Sequence, residues 1–271
     1  MVSATETQHT ADVGNLNRGV KEVLTSQRIL GIDFLDCDVK DVVDRMMKGG
    51  LLTAPSAPAL RDICTNLGYR QALLRSDVVI ADSAYMVLIW RLLGCRPIRR
   101  VSGLLYLREF FERAEPRFPG RTFWVMAGVD SSKCNLTYIR SRKIEVPDNC
   151  IHIAPHYGPQ IVDEALLSAI RQIRPDHVVV TIGGGTQERL GLYLKDNLDY
   201  LPGIHCIGAA IAFLSGDQVA ISDWADRAYL GWLLRCLWRP RLYVPRYWRA
   251  FALFGLMARY RSTLPPIDGK S

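Results

Sequence analysis

The stretch from His177 to Leu194, HVVVTIGGGTQERLGLYL, constrains this chain more than any other. Residues 178–182 form a short apolar run rich in β-branched side chains, the signature of a strand buried on both faces of a parallel sheet. Gly183, Gly184 and Gly185 follow at once, and Leu190, Tyr193, Leu194 and Leu198 then recur at helical spacing. A strand, a glycine turn and a helix start can hold an anion. Glycine lets the backbone approach closely, and the N–H groups of the first helical turn point at the ligand. The same shape also serves as an ordinary tight βα turn. It is not a standard dinucleotide fingerprint, because Glu188 occupies the sixth position of the G-x-G-x-x-G pattern. It is not a P-loop, because no Gly-Lys-Ser/Thr follows.

Other strands and helices alternate around this unit. Strands are expected over 28–34, 50–53, 77–81, 122–126, 150–154 and 204–208, with helices over 39–47, 60–75, 104–114, 159–173 and 209–214 and another starting at Ser131. The fold class is therefore α/β, a Rossmann-like, mainly parallel sheet flanked by helices. At 271 residues with 49% hydrophobic content, the chain can bury one large core and carry an appendage. The expected division is a disordered polar segment over 1–25, an α/β catalytic domain over 26–226 and a C-terminal helical appendage over 227–271.

The appendage changes composition sharply. Residues 227–261 hold eight arginines, no lysine and no acid, interleaved with tryptophan, tyrosine and phenylalanine. They account for the formal charge of +7. This mixture suits an anionic membrane surface or a phosphate-rich ligand. Nucleic acid fits less well, since lysine is absent and an apolar run over 250–258 favours a bilayer interface. A buried C-terminal helix pair is the structural alternative. No run reaches 18 apolar residues, so no transmembrane helix is expected, and the polar N-terminus lacks the apolar segment of a signal peptide. The seven cysteines are scattered without a C-x-x-C, which suggests buried thiols in a reducing compartment.

Two acids stand out. Asp82 closes the third expected strand at its carboxyl end, where ligands bind in parallel α/β sheets, and it also suits a helix N-cap. Asp38 of the Asp36-Cys37-Asp38 triplet is read as an N-cap rather than a metal ligand. His152 and His156 lie close enough to share a metal, but no third ligand accompanies them. Structural roles are expected for all the strand histidines.

Taken in order, SDVVIAD at 76–82, GGGTQERLG at 183–191, IGAAIAFLSG at 207–216 and the tail pattern Trp232…Arg235…Pro240-Arg241…Arg246-Tyr247 resemble the WecG/TagA/CpsF glycosyltransferases, glycosyltransferase family 26. The likeness runs from about Ile29 to Trp248. The chain departs from the family pattern at several points. Ala54-Pro55-Ser56 stands for Thr-Pro-Asn, Ser83 for glycine, Thr186 for Pro-Lys, Leu105 for an acid and Gly231 for a glutamate.

The resemblance implies inverting, metal-independent transfer of a sugar from a UDP-sugar to a lipid-diphosphate-linked sugar. It implies no cofactor, and a place on the cytoplasmic face of the membrane. It makes Asp82 the base, Arg235, Arg241 and Arg246 the stabilisers of departing UDP, and Gly183, Gly184 and Gly185 the diphosphate turn. Ser56, Gln187 and Glu188 become substrate contacts. No nucleic-acid partner is expected, and a homo-oligomer is allowed. The rival class is a non-catalytic nucleotide-sugar or lipid-phosphate binding protein of the same fold, motivated by Ser56 and Leu105. An NAD-dependent oxidoreductase fits less well, since no acid marks the expected ribose position.

Overall fold

The computed structural model describes residues 25–113, 115–216, 236–237 and 239–268. The expected N-terminal segment up to residue 24, together with Arg227 and Arg235, lies outside them.

Among the described residues, eight strands form two sheets. An antiparallel hairpin pairs β1 (Thr25–Ile29) with β2 (Ile32–Asp36), with Ile29 opposite Ile32. The main sheet holds six parallel strands in the order β4-β3-β8-β7-β5-β6: β3 (Gly50–Thr53), β4 (Val78–Val79), β5 (Thr122–Met126), β6 (Ile151–Ile153), β7 (His177–Val180) and β8 (Gly203–Cys206). A single bridge between Leu35 and Ile80 ties the hairpin to the main sheet's edge. All four residues of β7 are buried, as a central parallel strand requires.

The hairpin corrects the expectation of one strand over 28–34. Leu30 and Gly31 turn the chain with φ of 51° and 77°. Two left-handed residues are what a tight hairpin needs, but leucine is a poor signal for that turn. Burial overrides the preference. Leu30 is fully buried, and its N–H and that of Gly31 donate to the carbonyls of Arg261 and Ser262.

Helices α1 (Val39–Met46), α2 (Ala57–Leu60), α3 (Leu67–Leu74), α4 (Ala84–Leu92), α5 (Gly103–Glu112), α6 (Val129–Ser141), α7 (Glu164–Ile173), α8 (Thr186–Asn197) and α9 (Ala210–Ser215) link or follow the strands. Their starts are set by side chains accepting free N–H groups: Asp38, Asn66, Ser83, Ser102 and Asp163 cap α1, α3, α4, α5 and α7. Asn66 explains why the single helix expected over 60–75 is two, separated by a 3₁₀ turn at Arg61–Cys64. Asp163 likewise delays α7 to Glu164.

The last helices are α10 (Pro240–Ala250) and α11 (Ala252–Tyr260). Ala250, Leu253 and Met257 are buried in a second core with Ile29, Phe34, Leu60, Tyr69 and Trp90. The chain then passes the hairpin turn and reaches α3, where Arg70 donates to the Pro265 carbonyl at 2.5 Å. The end of the expected appendage is thus built into the body rather than hung from it. Trp248, Phe251 and Phe254 remain exposed. Among the described residues, no helix is long and apolar enough to cross a membrane.

Candidate active site

Parallel strands that all run one way deliver their carboxyl ends to one edge of the sheet, and a pocket of about 270 Å³ lies along that edge. Ser56 arrives from β3, Asp82 from β4, Ala127 from β5, Gly183 and Gly184 from β7, and Ile207 and Gly208 from β8. Sequence positions up to 159 residues apart, Ala54 and Phe213, therefore share one cavity.

Asp82 does not cap α4, since Ser83 does so through the Met86 N–H at 3.2 Å. The Asp82 carboxylate reaches instead to α5, where Oδ1 accepts the Gly103 N–H at 2.9 Å. That helix start is a favourable place for a negative charge. A Cβ at 103 would sit 3.0 Å from the Ile207 carbonyl oxygen, a tight contact that glycine avoids. The approach holds α5 close to β8 and aligns its first N–H with Asp82. Arg100 lines the same pocket and donates from Nε to the Asp82 carbonyl at 2.9 Å.

The glycine turn divides its work. Gly183 and Gly184 face the cavity. Gly185 takes φ of 88° and donates its N–H to Glu188 Oε2 at 2.6 Å. Glu188 is fully buried, and Gln187 Nε2 reaches its other oxygen at 3.3 Å. Burial pushes the Glu188 carboxyl up to about 7, against the pull of these hydrogen bonds. The sequence reading places Glu188 on a sugar or ribose hydroxyl, whereas its carboxylate here braces the turn from beneath. Gln187 lines the pocket, and its Oε1 accepts the Gly208 N–H at 2.6 Å, tying the β7 and β8 loops together.

Among the described residues, the buried Ser56 hydroxyl has no hydrogen-bond partner, and it lies beside Gly184. An unsatisfied buried hydroxyl costs about 1–3 kcal/mol, so a cavity-lining one is suited to a ligand. Five expected site residues, Ser56, Asp82, Gly183, Gly184 and Gln187, thus line one pocket, while Gly185 and Glu188 support it. Arg241 is exposed on α10, which packs on α2, the helix that Ser56 precedes. Arg235 and the Arg246 side chain lie outside the described residues.

Arg100, Ser131 and Asn135 also line the pocket and were not anticipated. The arginine pair before Val101-Ser102-Gly103 is a weak local signal for Arg100, outweighed in the sequence by the eight arginines of the tail.

The strand histidines His152, His177 and His205 serve structure. His205 Nδ1 meets the Tyr106 hydroxyl at 2.7 Å, and His205 Nε2 meets His177 Nδ1 at 3.2 Å. Burial pushes His177 down to about 4 and His205 well below its ordinary value. His152 pairs with Asp163 at 3.0 Å rather than with His156. Asp38 caps α1, and Asp36 accepts the Arg99 N–H. Among the described residues, no three His, Cys, Asp or Glu side chains converge as a metal site would require.

The family model for the WecG/TagA/CpsF glycosyl transferases matches residues 27–265. The chain belongs to that family. A search of curated proteins finds no match to it. As a WecG/TagA/CpsF member it is of a glycosyltransferase family, and its α/β architecture with a six-stranded parallel sheet agrees with the sequence reading.

Proposed function

We propose that this transferase moves a sugar from a UDP-sugar to a lipid-diphosphate-linked sugar in the synthesis of a cell-surface polysaccharide or glycopolymer, with inversion and without a divalent metal. The observation that carries the reading is the meeting of Asp82, Arg100, Ser56 and the glycine turn in one pocket. The acceptor hydroxyl attacks the anomeric carbon from the face opposite the diphosphate, and its proton passes to Asp82. The bond to UDP breaks as the new glycosidic bond forms, so a single displacement inverts the centre. Charge grows on the departing diphosphate and meets the start of α8 and the Arg100 guanidinium. Arg235, Arg241 and Arg246 complete that cationic surround, and Ser56 and Gln187 contact the donor.

The acceptor is lipid-borne in this reading, and the protein works peripherally at the cytoplasmic face of the membrane. Exposed Leu237, Trp248, Phe251 and Phe254 support this, and Arg239, Arg241 and Arg259 of the same stretch are exposed as well. Aromatic side chains enter the interface, and each basic residue near anionic lipid contributes up to about 1 kcal/mol.

A panel of UDP-sugars tests the proposal. One of them should yield UDP at a rate raised by a lipid-diphosphate-linked acceptor, and the rate should persist in EDTA. Binding with no turnover on any acceptor would favour the binding-protein alternative. Loss of turnover in EDTA, restored by Mg²⁺ or Mn²⁺, would overturn metal independence.

A further inference from the structure

Glu188 is the third residue of α8, and its Oε2 accepts the Gly185 N–H at 2.6 Å. Gly185 directly precedes α8, so the helix start that would face a diphosphate already holds an anion of its own. Gly183 and Gly184, next along the chain, line the pocket.

The buried carboxyl has little to balance its charge. Glu188 is fully buried and makes no ion pair among the described residues. Arg189 commits its guanidinium to the carbonyls of Gly185, Gly158 and Pro159 and to the Thr186 hydroxyl, so it acts on Glu188 only at a distance. Tyr69 of α3 and Cys206 of β8 are the other titratable groups beside it, both pushed up by burial and then by the Glu188 charge. β3 also packs on α8 and brings no titratable side chain. Asp82 and Arg100 are the charged residues of the pocket lining.

A diphosphate against Gly183 and Gly184 brings more negative charge to the same helix start. Two anions there repel, and a buried site screens that repulsion weakly. A buried carboxyl relieves it by taking a proton. Neutral Glu188 keeps Oε2 as the acceptor for Gly185 and leaves the positive end of the helix to the ligand.

Resting on the reading of the glycine turn as the diphosphate site, we propose that donor binding is coupled to proton uptake at Glu188. The proton comes from solvent as the donor binds. It stays while charge grows on the departing diphosphate, and it returns to solvent when UDP leaves. Burial has already raised the empty-site carboxyl to about 7, so uptake falls in the neutral range. Affinity is highest below that value and declines as pH rises above it, because ionised Glu188 must first be neutralised.

The test is calorimetric binding of UDP to the intact chain and to Glu188→Gln at pH 7, in buffers of different ionisation enthalpy, which reports the protons exchanged per UDP bound. The terminal phosphate of UDP titrates with either protein, so the difference between them belongs to Glu188. The parent should take up about half a proton more than the variant, the ionised share of a carboxyl at its midpoint. Between pH 6 and pH 8 the parent's UDP affinity should fall about fivefold relative to the variant's. Difference infrared spectra of the parent alone should gain a protonated-carboxyl band on UDP binding, shifted by carbon-13 labelling of glutamate, which decides the matter even if the variant does not fold. Equal proton uptake, parallel affinity profiles or the lack of that band would overturn the coupling. A parent that binds no UDP would instead overturn the diphosphate reading, and the coupling with it.

Discussion

Glu188 has no exposed surface, and its two oxygens are held by the N–H of Gly185 and the amide of Gln187. Its carboxyl is raised to about 7 by burial, against 4.5 for an unperturbed glutamate. The folded protein therefore binds an extra proton between those values. The corresponding stability is fully present below about 4.5 and is lost as pH rises through 7. Glu188→Gln keeps an acceptor for Gly185 without the charge. Between pH 5 and pH 8 the parent should lose about 3 kcal/mol relative to that variant, read from denaturant midpoints. Parallel pH profiles would show that Glu188 titrates normally. Gly184 gives a second residue-scale prediction. A Cβ there would sit 3.4 Å from Ser56 Oγ, so the first carbon fits and the branches of valine intrude on the cavity. Gly184→Val should fold and weaken UDP binding by about tenfold or more, measured by calorimetry. Unchanged affinity would move the diphosphate elsewhere.

At the scale of elements, α11 belongs to the second core. Leu253 and Met257 are fully buried there, and the hairpin turn donates two N–H groups to the chain just after the helix. Leu253→Ala should cost about 2–5 kcal/mol in chemical denaturation, as buried leucines do. A loss below about 1 kcal/mol would mean the helix is loosely attached. This packing was not legible in the sequence, because residues 250–258 are apolar all round and a membrane face and a core face read alike. The strands were legible for the opposite reason: runs such as those at β5 and β7 are too short and too β-branched for helices. The capping Asn66 was missed because an Asn among helix formers gives a weak break. Asp82 and the glycine turn could be read locally as the ends of strands. Arg100 has only the weak local signal of the Arg99-Arg100 pair, and its place in the pocket depends on the loop before α5 returning to the Asp82 carbonyl.

Across the whole molecule, one pocket reaches from β4 to β5 while the exposed Trp248 and Phe251 sit toward its β4 side, beside Tyr85. Trp248→Ala with Phe251→Ala should lower binding to anionic vesicles several-fold in flotation while leaving UDP affinity unchanged, since neither residue lines the pocket. Equal flotation of parent and variant would place the membrane contact elsewhere. The central claim is that the pocket performs transfer with Asp82 as its base. The most direct test compares the intact chain with Asp82→Asn, at saturating UDP-sugar and with a lipid-diphosphate-linked acceptor, following acceptor-dependent UDP release. The account predicts a loss of about 10²-fold or more in turnover with UDP affinity retained. Near-normal turnover in the Asn variant would contradict it.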